Sequence, residues 1–235
     1  MKKTIMITGA SSGIGACAAK LFLKHGWNVA LIARRVDELK IVADKHVNAL
    51  CIVCDVTQED QVIVTFESVV NHFGRLDVLF NNAGIFTPQS RIDKIRLSDW
   101  QKSVDVNLTG MFLSAREAFR HMKVTGGRII NNGSISAHAP REGSAPYTST
   151  KHAITGLTKT IALDGRALNI CCGQIDIGNA HTEMVSNLIG EDGVAETMAV
   201  SDAAEAVLSM AKLPLTTNIL SMTIMANKMP FVGRG

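Results

Sequence analysis

The sequence predicts an α/β protein built on a doubly wound parallel sheet of about seven strands, with helices on both faces. Two observations predict it. Short apolar runs alternate with longer amphipathic stretches along the whole chain. Most of these runs are apolar almost throughout, as strands of a parallel sheet covered on both faces must be. Strand and helix alternation with short loops places a ligand crevice at the carboxyl ends of the strands.

The elements follow in this order. Strands are predicted at residues 4–8, 28–33, 49–54, 78–80, 127–132, 169–175 and 219–224. The amphipathic stretches between them include 13–25, 58–73, 98–122 and 148–168. No repeat, low-complexity tract or linker interrupts the pattern, so residues 1–235 are predicted to form one domain. The polar stretch 178–200 is expected to be either a mobile loop over the crevice or a plain surface excursion.

Composition narrows the class of protein. Hydrophobic residues make up 46% of the chain and charged residues 19%, an ordinary balance for a globular protein. The formal net charge of +3 comes from dispersed Lys and Arg, which gives no support to nucleic acid or an anionic membrane as a partner. No apolar run is long enough to span a bilayer, and the short run after Met1 is unlike a signal peptide. A cytoplasmic protein with reduced thiols is therefore expected.

A metal site is not expected. Cys51 and Cys54 have the spacing of a redox or zinc motif, but they lie in a predicted strand. Residues three apart on a strand point to opposite faces, so the two thiols should not meet. The seven histidines show no pair with metal-ligand spacing.

A glycine-rich loop follows the first strand. The run Thr8-Gly-Ala-Ser-Ser-Gly-Ile-Gly15 leads directly into a helical pattern. Glycines there let the backbone turn and approach a pyrophosphate, to which the helix N-terminus offers N–H groups and its positive dipole end. The spacing is not the commoner Gly-x-Gly-x-x-Gly, and a tight turn is the alternative interpretation. The candidate phosphate-binding residues are Gly9, Ser11, Ser12, Gly13, Ile14 and Gly15.

The end of the second strand bears on which dinucleotide binds. NAD binding usually places an acidic residue there, whereas this chain has Ala33-Arg34-Arg35. A guanidinium pairs with a 2′-phosphate through charge-assisted bonds, so Arg34 and Arg35 predict a preference for NADP(H), with NAD(H) as the alternative. A solvated arginine pair that opens the next helix is the other interpretation.

Further motifs complete a pattern. Together with the glycine-rich loop, the chain contains Asn81-Asn-Ala-Gly84, Asn107, Ser134 and Tyr147-Thr-Ser-Thr-Lys151, in this order. Their order and spacing resemble the short-chain dehydrogenase/reductase family in its shorter, single-domain form, and the resemblance covers nearly the whole chain. It implies a Rossmann-like dinucleotide-binding and catalytic domain and hydride transfer at the nicotinamide, without metal chemistry.

The residues themselves support such chemistry. A Tyr phenol has a pKa of about 10, too high to exchange protons easily near neutrality. Lys151 lies four residues after Tyr147, so on a helix both project from one face, and its ammonium is expected to lower the pKa of Tyr147. Tyr147 is then the acid in carbonyl reduction and the base in alcohol oxidation. The hydroxyl of Ser134 can hold the developing charge on the substrate oxygen. A chance surface pair is the alternative for Tyr147 and Lys151 alone.

The resemblance implies further roles. Lys151 would also hold the nicotinamide ribose, and Asn107 would order a water that continues the proton relay. Further cofactor contacts are implied for the following residues: Asp55 and Val56 at adenine, Asn82, Ala83 and Gly84 along the ribose, and the backbone of Ile175 at the carboxamide. Asp55 is also open to interpretation as a turn aspartate. One departure is that the family's Pro-Gly after the sixth strand is missing and Thr182 comes late, which leaves the role of Thr182 uncertain.

The sequence therefore predicts an NADP(H)-dependent oxidoreductase acting on a small carbonyl or secondary alcohol. A non-catalytic dinucleotide-binding sensor or scaffold on the same fold is the alternative, although it would be expected to lose Tyr147, Lys151 or Ser134. An epimerase or dehydratase using the same Tyr and Lys is a third. Apolar residues on more than one helix face, Phe112 among them, predict a symmetric homo-oligomer; the resemblance implies a homotetramer, with a homodimer as the alternative. Arg141 either holds an anionic substrate or lies in solvent.

Overall fold

The computed structural model describes residues 2–182 and 197–231. Its seven strands form one parallel sheet in the order β3-β2-β1-β4-β5-β6-β7. The strands are β1 (Thr4–Thr8), β2 (Asn28–Ala33), β3 (Ala49–Val53), β4 (Val78–Asn81), β5 (Gly127–Asn132), β6 (Ile170–Ile177) and β7 (Ser221–Ile224). This Rossmann-like sheet confirms the predicted fold class.

Helices cover both faces of the sheet. They are α1 (Gly13–Lys24), α2 (Val36–Ala43), α3 (Glu59–Phe73), α4 (Leu97–Val104), α5 (Gly110–Met122), α6 (Ala145–Asp164) and α7 (Val200–Lys212). Most of the predicted loop 178–200 lies outside the described residues, and its last residue opens α7. Among the described residues, no helix is both long and apolar enough to cross a membrane.

Strand residues alternate between two cores. Ile5 and Ile7 of β1 pack on one face with Phe22 of α1, and α7 contributes to the same cluster. Met6, between them, faces the opposite side with Phe66 of α3 and residues of α5. Ile5, Met6 and Ile7 are all fully buried. A strand buried on both faces cannot alternate apolar with polar residues, which is why the sequence shows near-continuous apolar runs.

The predicted helix 98–122 is interrupted. A π-helical turn, Asp105–Thr109, separates α4 from α5. A Cβ on Gly110, at the start of α5, would lie 2.8 Å from Cγ2 of Val56. The absence of a side chain there lets the helix approach the loop after β3. Such turns often mark functional sites, and this one carries Asn107.

Strand β6 ends later than predicted. It runs to Ile177, and residues 174–177 pair with β7 in parallel register. Every residue of β6 is buried. Side chains at 174 and 176 share one face and those at 175 and 177 the other, and the extension places Ile175 inside the strand and not at its end.

Candidate active site

A cleft of about 460 Å³ opens at the carboxyl ends of the strands, a volume within the range of small-molecule sites. Fourteen predicted site residues line it. They are Gly9, Ser11, Ser12, Gly13, Ile14, Arg34, Arg35, Asp55, Val56, Asn82, Ala83, Gly84, Tyr147 and Lys151. The topology therefore brings together residues that lie far apart in sequence, at the crevice expected of this sheet.

The glycine-rich loop has the shape of a phosphate cradle. Gly9 and Gly13 have φ values of +68° and +54°, a region that residues with a Cβ rarely occupy. A Cβ on Gly15 would overlap the carbonyl oxygen of Gly9, which explains the third glycine. Helix α1 begins at Gly13 without a side-chain cap, since the Ser12 hydroxyl makes no capping bond. The N–H groups of its first turn therefore remain for a ligand, and the loop fits a pyrophosphate.

The loop is held by the segment after β4. Oγ1 of Thr8 accepts hydrogen bonds from the backbone N–H groups of Asn82 and Ala83, at 2.9 and 3.0 Å. Nδ2 of Asn82 donates to the carbonyl of Thr8 at 2.9 Å, and Oδ1 of Asn82 accepts from Asn132 at 2.9 Å. Asn82 thus links β1 to β5 while it lines the cleft.

Arg35 crosses from the end of β2 to this loop. Its Nη2 donates to the hydroxyls of Ser11 and Ser12 at 3.0 and 3.1 Å. Its Nη1 lies 3.6 Å from a carboxylate oxygen of Glu38, an exposed pair that contributes little to stability. Arg34 also lines the cleft but has no hydrogen bond to the loop among the described residues. The guanidinium that borders the phosphate loop is therefore that of Arg35.

Asp55 has a role in the local turn. Its Oδ1 accepts from the backbone N–H of Thr57 at 3.0 Å and from the Thr57 hydroxyl at 2.8 Å. This is the turn aspartate that we considered as an alternative. Because Asp55 also lines the cleft, the two interpretations are compatible.

Tyr147 and Lys151 share one face of α6, as predicted from their spacing. Nζ of Lys151 lies 5.4 Å from the centroid of the Tyr147 ring and donates to the carbonyl of Asn132 at 2.7 Å. The ring of Phe86 lies 4.0 Å from that of Tyr147, centroid to centroid. The phenol is thus held between a lysine and an aromatic ring at the edge of the cleft.

Ser134 lies just beyond the end of β5 and is buried. Its side chain is close enough to Tyr147 to act against the rise in the pKa of the phenol, and its Oγ accepts from the N–H of Ser136 at 3.1 Å. Its own N–H donates to Oδ1 of Asp176 at 2.9 Å. The structure therefore places the predicted serine near the predicted tyrosine.

The ionisation of the pair differs from the prediction. Burial raises the pKa of Tyr147 to about 12, although the bond with Ser134 acts in the opposite direction. Burial lowers the pKa of Lys151 to about 8, and the charge of Asp176 offsets part of that effect. The prediction that Lys151 lowers the pKa of Tyr147 is wrong for this structure, because desolvation of the phenol dominates. Tyr147 is therefore protonated at neutral pH.

Asn107 lies outside the cleft lining, fully buried in the π-helical turn. Its Oδ1 accepts from the N–H of Ile85 at 2.8 Å. Its Nδ2 donates to the carbonyl of Ile85 at 2.9 Å and to the hydroxyl of Ser103 at 3.2 Å. The side chain therefore holds the loop after Gly84 against α4.

Ile175 does not reach the cleft. It is fully buried mid-strand in the hydrophobic core, and its carbonyl accepts from the N–H of Gly133 at 2.8 Å. The extension of β6 to Ile177 accounts for this. Thr182 does line the cleft, and its Cγ2 lies 3.3 Å from where a Cβ on Gly13 would stand. The sequence reasoning also missed other lining residues, namely Ile32, Ala33, Cys54, Ile85, Lys102, Val106 and Asn132.

The chain is similar in sequence to known proteins. A sequence profile described as short chain dehydrogenase matches residues 3–192. The chain is 34% identical over 220 residues to trans-4-hydroxycyclohexanecarboxylate dehydrogenase of Sinomonas cyclohexanicum, which covers 86% of this chain and 83% of that one.

Two solved structures are also similar. One is 3-ketoacyl-(acyl-carrier-protein) reductase from Brucella melitensis complexed with NADH, with a TM-score of 0.88 and 25% identity over 96% of this chain and 97% of that one. The other, described as ElxO with NADP bound, has a TM-score of 0.85 and 29% identity over 95% and 98%. The chain belongs to the short-chain dehydrogenase/reductase family of oxidoreductases.

Proposed function

We propose that the protein is an NADP(H)-dependent oxidoreductase that interconverts a small carbonyl compound and a secondary alcohol, with Tyr147 as the acid or base. The observation that carries this is that Tyr147 and Lys151 line the same cleft as the glycine-rich loop, with Ser134 close enough to Tyr147 to act on its pKa. Two hydroxyls held together at the edge of a dinucleotide cleft are what a carbonyl oxygen needs while it gains negative charge.

The cofactor, when bound, supplies or accepts the hydride. Tyr147, which lines the cleft, donates its proton to the substrate oxygen during reduction and takes a proton back during alcohol oxidation. Ser134 stabilises the charge that develops on the same oxygen. Lys151, held by the carbonyl of Asn132, is proposed to anchor the nicotinamide ribose and to complete the proton path with Asn107.

The preference for NADP(H) rests on the end of β2. Arg35 and the hydroxyls of Ser11 and Ser12 form a contiguous polar group where the 2′-phosphate of the adenosine ribose would lie. A charged fork with adjacent hydroxyls suits a phosphate. The similar structures support a nicotinamide dinucleotide in general, since one is described with NADP and the other with NADH.

The proposal also covers the substrate, the oligomeric state and the cellular location of the enzyme. The partner is a small-molecule substrate, and the similar Sinomonas protein is named for a hydroxycyclohexanecarboxylate. We also propose a homotetramer or homodimer in the cytoplasm. Phe112 on α5 is 44% exposed and Leu163 on α6 is 59% exposed, which supports burial of these helices against another copy.

The function is tested by titrating NADPH and NADH separately and then screening ketones, aldehydes, sugars and quinones for oxidation of the preferred cofactor. The expected result is tighter binding of NADPH and turnover of at least one carbonyl compound. Dinucleotide binding without turnover on any carbonyl, or on the matching alcohols with the oxidised cofactor, would favour the non-catalytic sensor. Absence of dinucleotide binding would contradict the function altogether.

A further inference from the structure

An arginine lies in the loop that joins β5 to α6, just before the helical turn that carries Tyr147. Arg141 is half-buried. Its carbonyl accepts from the hydroxyl of Ser144 at 2.7 Å, and that hydroxyl lies 2.9 Å from Oγ1 of Thr148, the residue after Tyr147. The backbone of Arg141 is therefore fastened to the first turn of α6.

The guanidinium of Arg141 reaches across to the end of β6. Its Nη2 donates to Oδ1 of Asn179 at 2.7 Å, and Asn179 is buried two residues beyond the strand. The same loop is fastened to β6 by His138, whose Nε2 lies 2.8 Å from Oδ2 of Asp176. The other oxygen of that carboxylate accepts from the N–H of Ser134 at 2.9 Å. Arg141 therefore spans the space between α6 and the strand end that supports Ser134.

A second loop is joined to the one that carries Arg141. The half-buried ring of Phe86 lies 4.0 Å from that of Tyr147, centroid to centroid. Four residues later, the N–H of Ser90 donates to the carbonyl of Gly143 at 2.9 Å. A Cβ on Gly143 would lie 3.2 Å from that nitrogen, and its φ is +70°, so a glycine there lets the two loops approach. Both loops therefore belong to the surroundings of the phenol.

The charge of Arg141 has no acidic partner among the described residues. The one partner of its guanidinium there is the neutral amide of Asn179. Other arginines do pair with a carboxylate, namely Arg35, Arg75, Arg91, Arg96, Arg116 and Arg120. Burial raises the pKa of Tyr147, and the charge of Arg141 acts in the opposite direction, as a cation close to the phenol would.

An unpaired guanidinium in this position has the chemistry of an anion subsite. Partial burial of a charge is costly unless the charge is paired, and a single bond to Asn179 leaves most of the N–H fork of Arg141 for a ligand. The planar fork matches a carboxylate or a phosphate, with which it forms charge-assisted and often bidentate hydrogen bonds.

We propose that Arg141 is a substrate-binding residue: held by Asn179 beside Ser134 and Tyr147, it receives an anionic group of the carbonyl substrate, a carboxylate or a phosphate. The inference rests on the proposed reduction of a carbonyl compound and narrows the substrate class to oxo acids, oxo phosphates and the matching hydroxy compounds. An anion bound by Arg141 fixes one end of the substrate, while the carbonyl group at the other end meets the two hydroxyls.

The test uses matched pairs of ligands that differ in charge. The pairs are acetoacetate, levulinate and 4-acetylbenzoate, each with its methyl ester, and dihydroxyacetone phosphate with dihydroxyacetone. Each compound is titrated by calorimetry into the protein with and without saturating NADP⁺. The oxidised cofactor cannot reduce a carbonyl group, so binding is measured without turnover. KM and kcat are then measured with NADPH.

In the unmutated protein, at least one charged compound should bind about 10- to 100-fold more tightly than its neutral partner. Arg141→Met keeps the apolar stem without the charge and should abolish the difference, seen in turnover as a higher KM for the charged compound alone. Arg141→Lys keeps the charge without the fork and should restore part of it. The control is Arg166→Met, which removes an equal charge from an exposed residue just after α6 and should leave the preference unchanged.

Equal binding of the charged and the neutral compound in every pair overturns the inference, and so does a preference that survives in Arg141→Met. If Arg141→Met does not fold, Arg141→Gln decides the question in the same way, because it also lacks the charge but keeps a donor for Asn179. Failure of the proposed function is recognised separately, as charged compounds that bind through Arg141 while no carbonyl compound is reduced with NADPH.

Discussion

Lys151 lies one helical turn after Tyr147 on α6, and its ammonium donates to the carbonyl of Asn132 at 2.7 Å while it lies 5.4 Å from the phenol ring. The lysine is thus fastened to the end of β5, next to the strand end that presents Ser134. Its charge is buried, and its pKa is lowered to about 8. Lys151 therefore links α6 to the end of β5 at the edge of the cleft. Its protonation state changes close to physiological pH.

The lowered pKa of Lys151 predicts that cofactor binding depends on pH. Below about pH 8 Lys151 is an ammonium that donates hydrogen bonds, and above it the residue loses its charge. The affinity for NADPH should therefore fall as the pH rises through about 8, because charge-assisted hydrogen bonds are the stronger ones. Fluorescence titration of NADPH binding between about pH 6.5 and 9.5, roughly one and a half units either side of the lowered pKa, measures this dependence.

The matched variant is Lys151→Met, which keeps the apolar stem and has no group to titrate. It should bind NADPH more weakly and without the inflection. A dissociation constant that stays level across this range in the unmutated protein, or an inflection that survives in Lys151→Met, would assign the dependence to another group.

Cofactor choice should depend on Arg35 more than on Arg34. Arg35 borders the loop through Ser11 and Ser12, so Arg35→Ala should weaken NADPH binding by about 1.5–3 kcal/mol, the value of a hydrogen bond to a charged group. NADH binding should change little. Arg34→Ala, the neighbouring cleft residue, is the control and should have the smaller effect. Equal loss for both cofactors in Arg35→Ala would argue against a 2′-phosphate site.

Two glycine substitutions, one in the glycine-rich loop and one outside it, test whether the loop is a phosphate cradle. A Cβ on Gly15 would overlap the carbonyl of Gly9, so Gly15→Ala should displace the loop and abolish dinucleotide binding. Gly156, on the exposed side of α6, has no atom within 4 Å of an added Cβ. Gly156→Ala is the control and should preserve dinucleotide binding, because Gly156 does not line the cleft and no atom of the chain lies within 4 Å of an added Cβ. Calorimetric titration and thermal unfolding compare the two, and normal binding by Gly15→Ala would show that the loop is not a phosphate cradle.

Self-association is predicted from exposed apolar side chains on α5 and α6. Analytical ultracentrifugation at micromolar concentration should give a mass near two or four times the chain mass of 25.2 kDa. Phe112→Asp, at a residue 44% exposed, should shift the mass toward a monomer without loss of the fold. A monomer of the unmutated chain under these conditions would contradict the prediction.

Local patterns explain which parts could be predicted from sequence. The strand runs, the glycine loop and the spacing of Tyr147 and Lys151 are short-range features, and each is fixed by the geometry of one or two elements. The end of β6 was placed two residues too early, because it depends on pairing with β7, which no local pattern reveals. The π-helical turn around Asn107 was missed for a similar reason, since Gly110 packs on a loop more than fifty residues earlier, at Val56.

The contacts between side chains at the site could not be predicted from the sequence either. The pair Arg34-Arg35 gives no sign of which guanidinium contacts Ser11. No sequence pattern near Asp176 indicates that its carboxylate accepts from the N–H of Ser134. The pKa of Tyr147 was predicted in the wrong direction because the argument counted the nearby charge of Lys151 and not the burial of the phenol.

The most direct test of the proposed chemistry is the turnover of Tyr147→Phe. Phe keeps the volume of the ring and its contact with Phe86, so the fold and NADPH binding should be unchanged. The variant lacks the hydroxyl that Ser134 holds beside the cleft, and general acid–base catalysis typically contributes ~100- to 10,000-fold, so kcat should fall at least that far. Near-normal kcat in Tyr147→Phe, on a substrate that the unmutated protein reduces, would mean that the proton comes from another group and would contradict the assigned role of Tyr147.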